Sequence, residues 1–168
     1  MIRKHKIIAF ALLISLIFSA VSVAQAEELE FSEEKYCLAQ NIYFEAGNQP
    51  LAGRIAVAHV TLNRMEHKQF PSKICKVIYQ AKFKTNWKGK EVPIRNKCQF
   101  SWYCDGKSDK PTDSETWAEC IKLAEKILEK YYPDITEEAL WYHADSVNPY
   151  WTGQLNRTVT IDNHLFYN

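Results

Sequence analysis

The sequence has no internal repeat, no low-complexity tract, and no apolar run approaching the roughly 20 residues that a comfortable membrane-spanning helix needs. It also has no HExxH motif and no paired CxxC motifs, which argues against a zincin-type peptidase and a structural zinc site. Neither sign of charge dominates, since the chain has 21 Lys and Arg residues and 20 Asp and Glu residues. A chain this close to neutral is a poor candidate for binding nucleic-acid phosphates. We therefore expect no nucleic-acid partner, no metal and no other cofactor.

The first 26 residues have the three parts of a secretory signal peptide. Arg3, Lys4 and Lys6 form a basic head, residues 7–18 are an apolar run, and residues 24–26 (Ala-Gln-Ala) have the small-x-small form of a cleavage site. The alternative is an uncleaved anchor, against which the small residues at the cleavage site argue. We therefore expect an exported protein, periplasmic or extracellular, with no stable membrane span once the signal is removed.

Cleavage after Ala26 leaves residues 27–168, a length that suits a single domain with one hydrophobic core. The removed segment carries three basic residues and no acidic one, so the remaining chain is slightly acidic. Basic residues are nevertheless concentrated between Lys82 and Lys97. We interpret this stretch as a solvated loop, and the alternative is a surface that approaches an anionic polymer.

All five cysteines lie in the part of the chain that follows the predicted cleavage site. In an exported protein this favours disulfides, with one thiol left over. Cys98 and Cys104 are close in sequence, and a disulfide between them would close the aromatic loop that lies between the two residues. Cys37 with Cys75 is the second pair that we expect. Cys120 is then the spare thiol, a small buried hydrophobe in an amphipathic helix.

Apolar spacing and capping residues predict four helices, followed by a β-prone last third of the chain. The helices are Ser32 to Ala46, ended by Gly47; Pro50 to Arg64; Pro71 to Gln80; and one opened by a capping box at Thr112 and Glu115 and stopped by Pro133. Residues 81–110 look irregular, and a loop this long is usually functional or contains unrecognised structure. The β-prone segments are residues 139–143, 159–161 and 164–167. The predicted fold is therefore a mostly helical α+β domain with a small C-terminal β-sheet or hairpin.

Residues 41–50 carry the clearest chemical signal in the chain. They place Glu45 behind an apolar and aromatic run, just before the break at Gly47. A carboxyl group held against aromatic surface has its charged form disfavoured, so its pKa rises. Such a group still holds a proton near neutral pH, as a general acid for glycosidic-bond cleavage must. The alternative is that Glu45 is an ordinary surface residue at a helix end.

Seven motifs in a fixed order resemble the SleB-type cell-wall hydrolase family, named for spore-cortex-lytic enzymes. They are residues 37–46, 56–64, 70–80, 98–102, 141–143, 149–151 and 161–167. The resemblance implies a lysozyme-like, lytic-transglycosylase-like catalytic domain over residues 27–168 that acts on the glycan strands of peptidoglycan. It also implies that Glu45 is the catalytic acid. Many relatives carry Arg directly after this Glu-Ala pair, where the present chain has Gly47.

A single carboxylate in an apolar setting favours a lytic transglycosylase, in which the 6-hydroxyl of muramic acid replaces water as the nucleophile. The alternative is a muramidase-type hydrolase with a second carboxylate, for which Asp105, Asp145 and Asp162 are the candidates. A wall cysteine peptidase would instead use Cys37 as nucleophile and His143 as base. A metallopeptidase built on His143, Asp145 and His164, and a non-catalytic glycan-binding module, are further alternatives.

Aromatic and amide side chains in these motifs suit a sugar-binding groove, because rings stack on sugar C–H faces and fixed polar groups bind hydroxyl and acetamido groups. The expected stacking residues are Phe100, Trp102, Tyr142 and Trp151, and the expected hydrogen-bonding residues are Asn63, Gln99, Ser101, His143 and His164. The alternatives are core packing for each ring, a local helix-end bond for Asn63, and buried structural roles for the two histidines. The expected partner is peptidoglycan, and no protein partner is assigned.

Overall fold

The computed structural model describes residue 25 and residues 28–168. The predicted signal peptide, including its cleavage site, lies outside these described residues apart from Gln25. The chain divides into two units, residues 1–33 and residues 34–168. The described residues of the first unit are helical. Across the described part of the chain, no helix combines the length and apolar character needed to cross a membrane.

The second unit contains four α-helices and two small antiparallel sheets. The helices are α1 (residues 28–46, of which 34–46 belong to this unit), α2 (Leu51–Glu66), α3 (Ile74–Ile78) and α4 (Ser114–Leu128). A two-stranded sheet pairs β1 (Ala81–Thr85) with β2 (Glu91–Cys98). A three-stranded sheet contains β3 (Trp141–Ala144), β4 (Arg157–Ile161) and β5 (His164–Tyr167). Its strand order is β3-β5-β4, so β5 is the central strand. Short 3-10 helices follow β2 at Ser101–Cys104 and precede β4 at Thr152–Gln154.

Helix α2 is the centre of the domain, because it separates two apolar clusters. On one side Ile55 and Ala58 pack in the main cluster with residues of α1, α3 and α4. On the other side Ala56 and Val60 contact Ala139 and Phe166 of the β3-β5-β4 sheet region. A helix buried on both faces needs short side chains so that its neighbours can approach closely. This packing brings the sheet to the end of α1.

The two expected disulfides and the expected spare thiol are confirmed. Cys37–Cys75 links α1 to α3, and Cys98–Cys104 closes the segment between β2 and the following 3-10 helix. Cys120 is free and buried in α4. Burial raises the pKa of the Cys120 thiol to about 11, so this sulfur stays protonated.

The prediction that residues 81–110 are irregular is partly wrong, because this segment contains the β1–β2 hairpin and a 3-10 helix. Pro93 and Asn96 within β2 obscure the strand pattern, and Asn96 has a positive φ of 59°. The C-terminal β prediction is confirmed as the β3-β5-β4 sheet.

The helix boundaries also differ from prediction. Helix α1 is already helical at residue 28, so Ser32 does not cap it. The N-cap of α4 is Asp113 and not Thr112, because the Asp113 carboxylate accepts from the backbone N–H groups of Glu115 at 3.0 Å and Thr116 at 3.1 Å. A carboxylate also suits the positive end of the helix dipole. Helix α4 ends at Leu128, before Pro133, and α3 is shorter than predicted.

Candidate functional site

Glu45 lies in the last turn of α1, beside strand β3. The helix ends as predicted at Gly47, whose backbone N–H donates to the Tyr43 carbonyl at 3.1 Å. A Cβ atom added at Gly47 would lie 2.5 Å from that same carbonyl oxygen, closer than real Cβ contacts allow. The backbone as it stands therefore excludes the arginine that the family resemblance leads one to expect at this position.

Tyr142 of β3 fixes one oxygen of the Glu45 carboxyl group. Its hydroxyl donates to Glu45 Oε2 at 2.8 Å. The Tyr142 ring is held in turn by stacking on its cross-strand neighbour Phe166, with ring centroids 5.7 Å apart. Burial, followed by the neighbouring Glu45, raises the pKa of Tyr142 well above its usual value, so this hydroxyl remains a donor at neutral pH.

The pKa of Glu45 is raised, as the sequence predicted. Desolvation by burial is the main cause, and it is opposed by the Tyr142 hydrogen bond and by the positive charge of Arg64. The environment therefore favours the protonated carboxyl group but also supplies two groups that stabilise the carboxylate. A residue balanced in this way can both give and take a proton.

Arg64 supplies the positive charge from a position that is only 4% exposed. Its Nε donates to the Leu140 carbonyl at 2.7 Å, and its guanidinium lies over the Phe100 ring, 5.1 Å from the centroid. Gln99, with its amide oxygen turned toward Arg64, accepts from Nη1 at 3.2 Å and Nη2 at 3.3 Å. Burial lowers the pKa of Arg64 to about 10, so it remains charged at neutral pH.

Two cavities meet at Glu45 and Ser101. The first has a volume of about 390 Å³ and is lined by Glu45, Arg64, Gln99, Phe100, Ser101, Tyr142, His143, Ala144, Val147 and His164. The second has a volume of about 420 Å³ and is lined by Phe44, Glu45, Ser101, Trp102, Asp105, Lys107, Ser108 and Asp109. We call these the sheet-side and loop-side cavities. Glu45 therefore borders both cavities.

The two histidines of the sheet-side cavity differ in how their ring nitrogens are used. His143 donates from Nδ1 to the Ala144 carbonyl at 2.8 Å, and its Nε2 lies 2.9 Å from the Tyr167 hydroxyl. His164 is only 7% exposed, yet its Nδ1 is buried without a hydrogen-bond partner among the described residues. Burial lowers the pKa of His164, which leaves it neutral at neutral pH. His164 Nδ1 is therefore a buried polar atom that no described residue satisfies.

Seven of the predicted site residues line the sheet-side cavity, Trp102 lines the loop-side cavity, and two line neither. The sheet-side cavity contains Glu45, Gln99, Phe100, Ser101, Tyr142, His143 and His164. Asn63 instead donates to Asp134 Oδ2 at 2.9 Å and to the Ala139 carbonyl at 3.1 Å, so its amide holds a loop in place. Trp151 packs edge-on against His143 and Tyr167 and lines neither cavity.

Several residues of the site were missed by the sequence reasoning. Arg64, Phe44, Lys107 and Asp109 line the two cavities although none was a predicted site residue. Arg64 ends a helical motif, where a basic residue ordinarily complements the helix dipole, so no local signal marks it as part of a site. Asp109 adjoins Asp105, whose charge contributes after burial to raising the pKa of Asp109.

The structure also separates the alternatives. Cys37 is engaged in a disulfide, which removes the thiolate that a cysteine peptidase requires. Of the three candidate second carboxylates, Asp105 lines the loop-side cavity, whereas Asp145 and Asp162 line neither cavity. No group of three or more potential metal ligands lies together among the described residues.

Comparison with known proteins identifies a family and a fold. The model of the cell wall hydrolase family matches residues 48–167, a segment that begins three residues after Glu45. The catalytic domain of the germination-specific lytic transglycosylase SleB from Bacillus anthracis matches with 24% identity and a TM-score of 0.58, covering 80% of this chain and 93% of that one. The catalytic domain of the Bacillus cereus SleB protein matches with 25% identity and a TM-score of 0.56, covering 81% and 91%. The predicted fold class is thereby confirmed. No curated protein sequence matches the chain.

Proposed function

The chain belongs to the cell wall hydrolase family, and from that premise we propose that it is a lytic transglycosylase of peptidoglycan in which Glu45 is both acid and base. The observation that carries the proposal is a single carboxyl group of raised pKa at the junction of two cavities. The two solved relatives, one of which is described as a lytic transglycosylase, support it.

In the acid step the protonated Glu45 gives its proton to the glycosidic oxygen while the C1–O bond breaks. The bonding electron pair leaves with that oxygen, and positive charge develops on the ring of the muramic acid residue. Burial raises the pKa of Glu45 and so favours the protonated form that this step uses. Because Tyr142 holds Oε2, the other carboxyl oxygen is the one directed to substrate.

In the base step the Glu45 carboxylate takes the proton of the muramic acid 6-hydroxyl, whose oxygen then bonds to C1. This closes a 1,6-anhydro ring and restores the protonated acid, so no water is consumed. The carboxylate that exists between the two steps is stabilised by the Tyr142 hydroxyl and the Arg64 charge. The nucleophile belongs to the substrate itself, so the protein needs no second carboxylate to activate water.

The two cavities suit the two sugars on either side of the broken bond. Phe44 stacks on Trp102 in the loop-side cavity with ring centroids 4.8 Å apart, which forms an aromatic wall for a sugar face. In the sheet-side cavity, which His164 also lines, the exposed residue Ser101 offers its hydroxyl group to sugar hydroxyl or acetamido groups. Gln99 instead serves to hold Arg64 in place.

The test of the proposed reaction is mass spectrometry of the products released from purified peptidoglycan. We expect muropeptides ending in 1,6-anhydro-muramic acid, each lighter by one water molecule than the corresponding hydrolysis product. Muropeptides with reducing ends would contradict the proposal. Cut stem peptides would contradict cleavage of the glycan strand altogether.

A muramidase-type hydrolase is the second candidate, favoured by the two aspartates beside Glu45. Asp105 and Asp109 both line the loop-side cavity, and the raised pKa of Asp109 suits a carboxyl group that exchanges protons. Under this alternative, Asp105→Asn or Asp109→Asn would abolish turnover as fully as loss of Glu45. Under our proposal, both variants keep the same anhydro products.

The Cys98–Cys104 bridge provides a further prediction, because it closes the segment that carries Gln99 and Ser101 into the site. The double variant Cys98→Ser/Cys104→Ser should lose about 2 kcal/mol of stability, as expected for so short a loop. It should also lose about tenfold or more in kcat/KM, because misplaced contacts cost this much even when the acid is intact.

The measurements for this variant are its melting temperature and its kcat/KM below the unfolding transition. Cys120→Ala is the matched control, since it removes a buried sulfur that is neither bridged nor part of either cavity. Full activity in the folded double variant would show that the bridge serves stability alone.

The proposal extends to compartment and domain boundaries. Residues 1–26 act as the signal peptide, and residues 27–168 are the catalytic domain that reaches the wall. The protein acts on peptidoglycan strands in the periplasm or at the cell exterior. Two disulfides in the described chain support an oxidising compartment.

A further inference from the structure

The β1–β2 hairpin concentrates positive charge on an otherwise slightly acidic protein. Between residues 81 and 98 a single acidic residue, Glu91, accompanies six basic residues: Lys82, Lys84, Lys88, Lys90, Arg95 and Lys97. All six basic side chains are exposed. The structure thus replaces the solvated loop expected from the sequence with an ordered, two-stranded basic surface.

The tip of this hairpin is held in a defined conformation. Asn86 Oδ1 accepts from the backbone N–H groups of Lys88 at 2.9 Å and Lys90 at 3.0 Å. Gly89 has φ of +73°, a left-handed conformation that glycine adopts at little cost. These contacts present Trp87, which is 89% exposed, at the tip.

Trp87 is an unusual residue to leave in solvent. The Lys88 ammonium lies 4.6 Å from the Trp87 ring centroid, and the rest of the indole remains open. Lysines on a sheet edge protect it from pairing with other chains, and this would account for the basic strands. Edge protection does not account for the large aromatic side chain of Trp87 at the tip. An exposed indole ring suits stacking on a sugar face.

The hairpin is also connected directly to the site. Strand β2 ends at Cys98, and the next residue, Gln99, lines the sheet-side cavity. Strand β2 packs on the 3-10 helix Ser101–Cys104, and the Cys98–Cys104 bridge fixes this junction. At about 3.3 Å per residue, the strand carries the tip roughly 20 Å from that junction. A polymer bound along the hairpin would therefore also pass near the cavities.

We propose that the β1–β2 hairpin is an anchoring arm that binds peptidoglycan strands outside the catalytic cleft. Its lysines and arginine pair with the carboxylates of the stem peptides, and Trp87 stacks on a sugar. The inference rests on the proposed function for the identity of the polymer, and on charge complementarity for the contact. The arm raises the local concentration of strands at Glu45 and takes no part in the chemical step.

Binding to insoluble peptidoglycan, stripped of attached phosphate polymers, tests the arm without catalysis. The parent protein carries Glu45→Gln so that the polymer stays intact. We expect Lys84→Ala/Lys88→Ala/Lys90→Ala to weaken binding about tenfold at low salt, and the difference to shrink at high salt. Trp87→Ala should weaken binding at both salt concentrations. The matched control, Lys68→Ala/Lys76→Ala/Lys122→Ala, removes three exposed charges elsewhere and should bind as the parent does.

If the control triple variant lost binding equally, the proposal would be overturned. Exposed lysines anywhere on the protein would then explain binding to peptidoglycan, and the hairpin would have no special role. Parent-like binding by the hairpin variants, or binding only to walls that retain phosphate polymers, would overturn it as well. With Glu45 restored, the hairpin triple should raise KM on whole peptidoglycan and leave kcat on short soluble glycan fragments unchanged. Since binding is read without turnover, failure of the proposed reaction leaves the result on the arm intact.

Discussion

Glu45→Gln is expected to lower kcat on peptidoglycan by about 10³-fold or more, within the range that general acid–base groups contribute. The amide keeps the size of the side chain and can still accept the Tyr142 hydrogen bond. It has no proton to give to the glycosidic oxygen and cannot accept one from the 6-hydroxyl. Both steps therefore fail together, and no slow residual acid remains.

The same substitution should leave the fold as stable as before, or more so, at neutral pH. Because burial raises the pKa of Glu45 in the folded state, the folded protein binds this proton more tightly than the unfolded chain. Its contribution to stability is fully present below the unfolded pKa of glutamate, and is lost as pH rises through the raised pKa. A neutral amide at this position carries no such penalty, so the melting temperature of the variant at neutral pH should equal or exceed that of the wild type.

Glu66→Gln, on the exposed end of α2, is the matched control and should change neither activity nor melting temperature. Soluble product release and thermal unfolding are the two measurements. Retention of more than a tenth of the wild-type rate by Glu45→Gln would remove Glu45 from the mechanism and direct attention to Asp105 and Asp109.

Tyr142→Phe is expected to shift the alkaline limb of the pH profile upward by about one pH unit. The hydroxyl stabilises the Glu45 carboxylate, so its removal raises the pKa of Glu45 further. Activity in the acid step requires the protonated carboxyl group and declines as pH rises through that pKa. A higher pKa therefore extends activity to higher pH.

At the pH optimum, the same variant should lose about 10²-fold in kcat, because Oε2 is no longer held and the carboxyl group can rotate away from the productive geometry. The full pH dependence of kcat/KM separates this positioning role from a merely structural one. Tyr150→Phe, on a side chain that is 90% exposed, is the control and should leave the profile in place. A profile that keeps its alkaline limb while activity falls would mean that Tyr142 does not act through Glu45.

The parts of the fold that the sequence predicted are those with a strong local pattern. Helix α2 and strand β5 were foreseen from spacing and from β-branched or aromatic residues. The β1–β2 hairpin was missed because its strands expose alternating lysines and contain a proline. Its existence depends on a pairing, Phe83 opposite Pro93 and Lys84 opposite Val92, that no local rule supplies.

The same distinction applies to the site. Glu45 could be predicted because its apolar neighbours are adjacent in sequence. Arg64 could not, because its hydrogen-bond partner Leu140 lies 76 residues away. The position of Asn63 outside the two cavities could not be predicted for the same reason, since its hydrogen-bond partners lie 71 to 76 residues away. Long-range contacts decide which polar groups are used internally and which remain for a ligand.

The order of the disulfides along the chain has a consequence for biogenesis. Each bridge joins consecutive cysteines, and the loop closed by Cys37 and Cys75 ends before the one closed by Cys98 and Cys104 begins. Four cysteines allow three pairings. Under the proposed export, oxidation of the thiols in the order in which they leave a translocation channel gives this sequential pairing. Cys120 emerges last, after its predecessors are paired. Under the same proposal, we expect maturation to need an oxidase but no isomerase, since no incorrect bridge has to be exchanged.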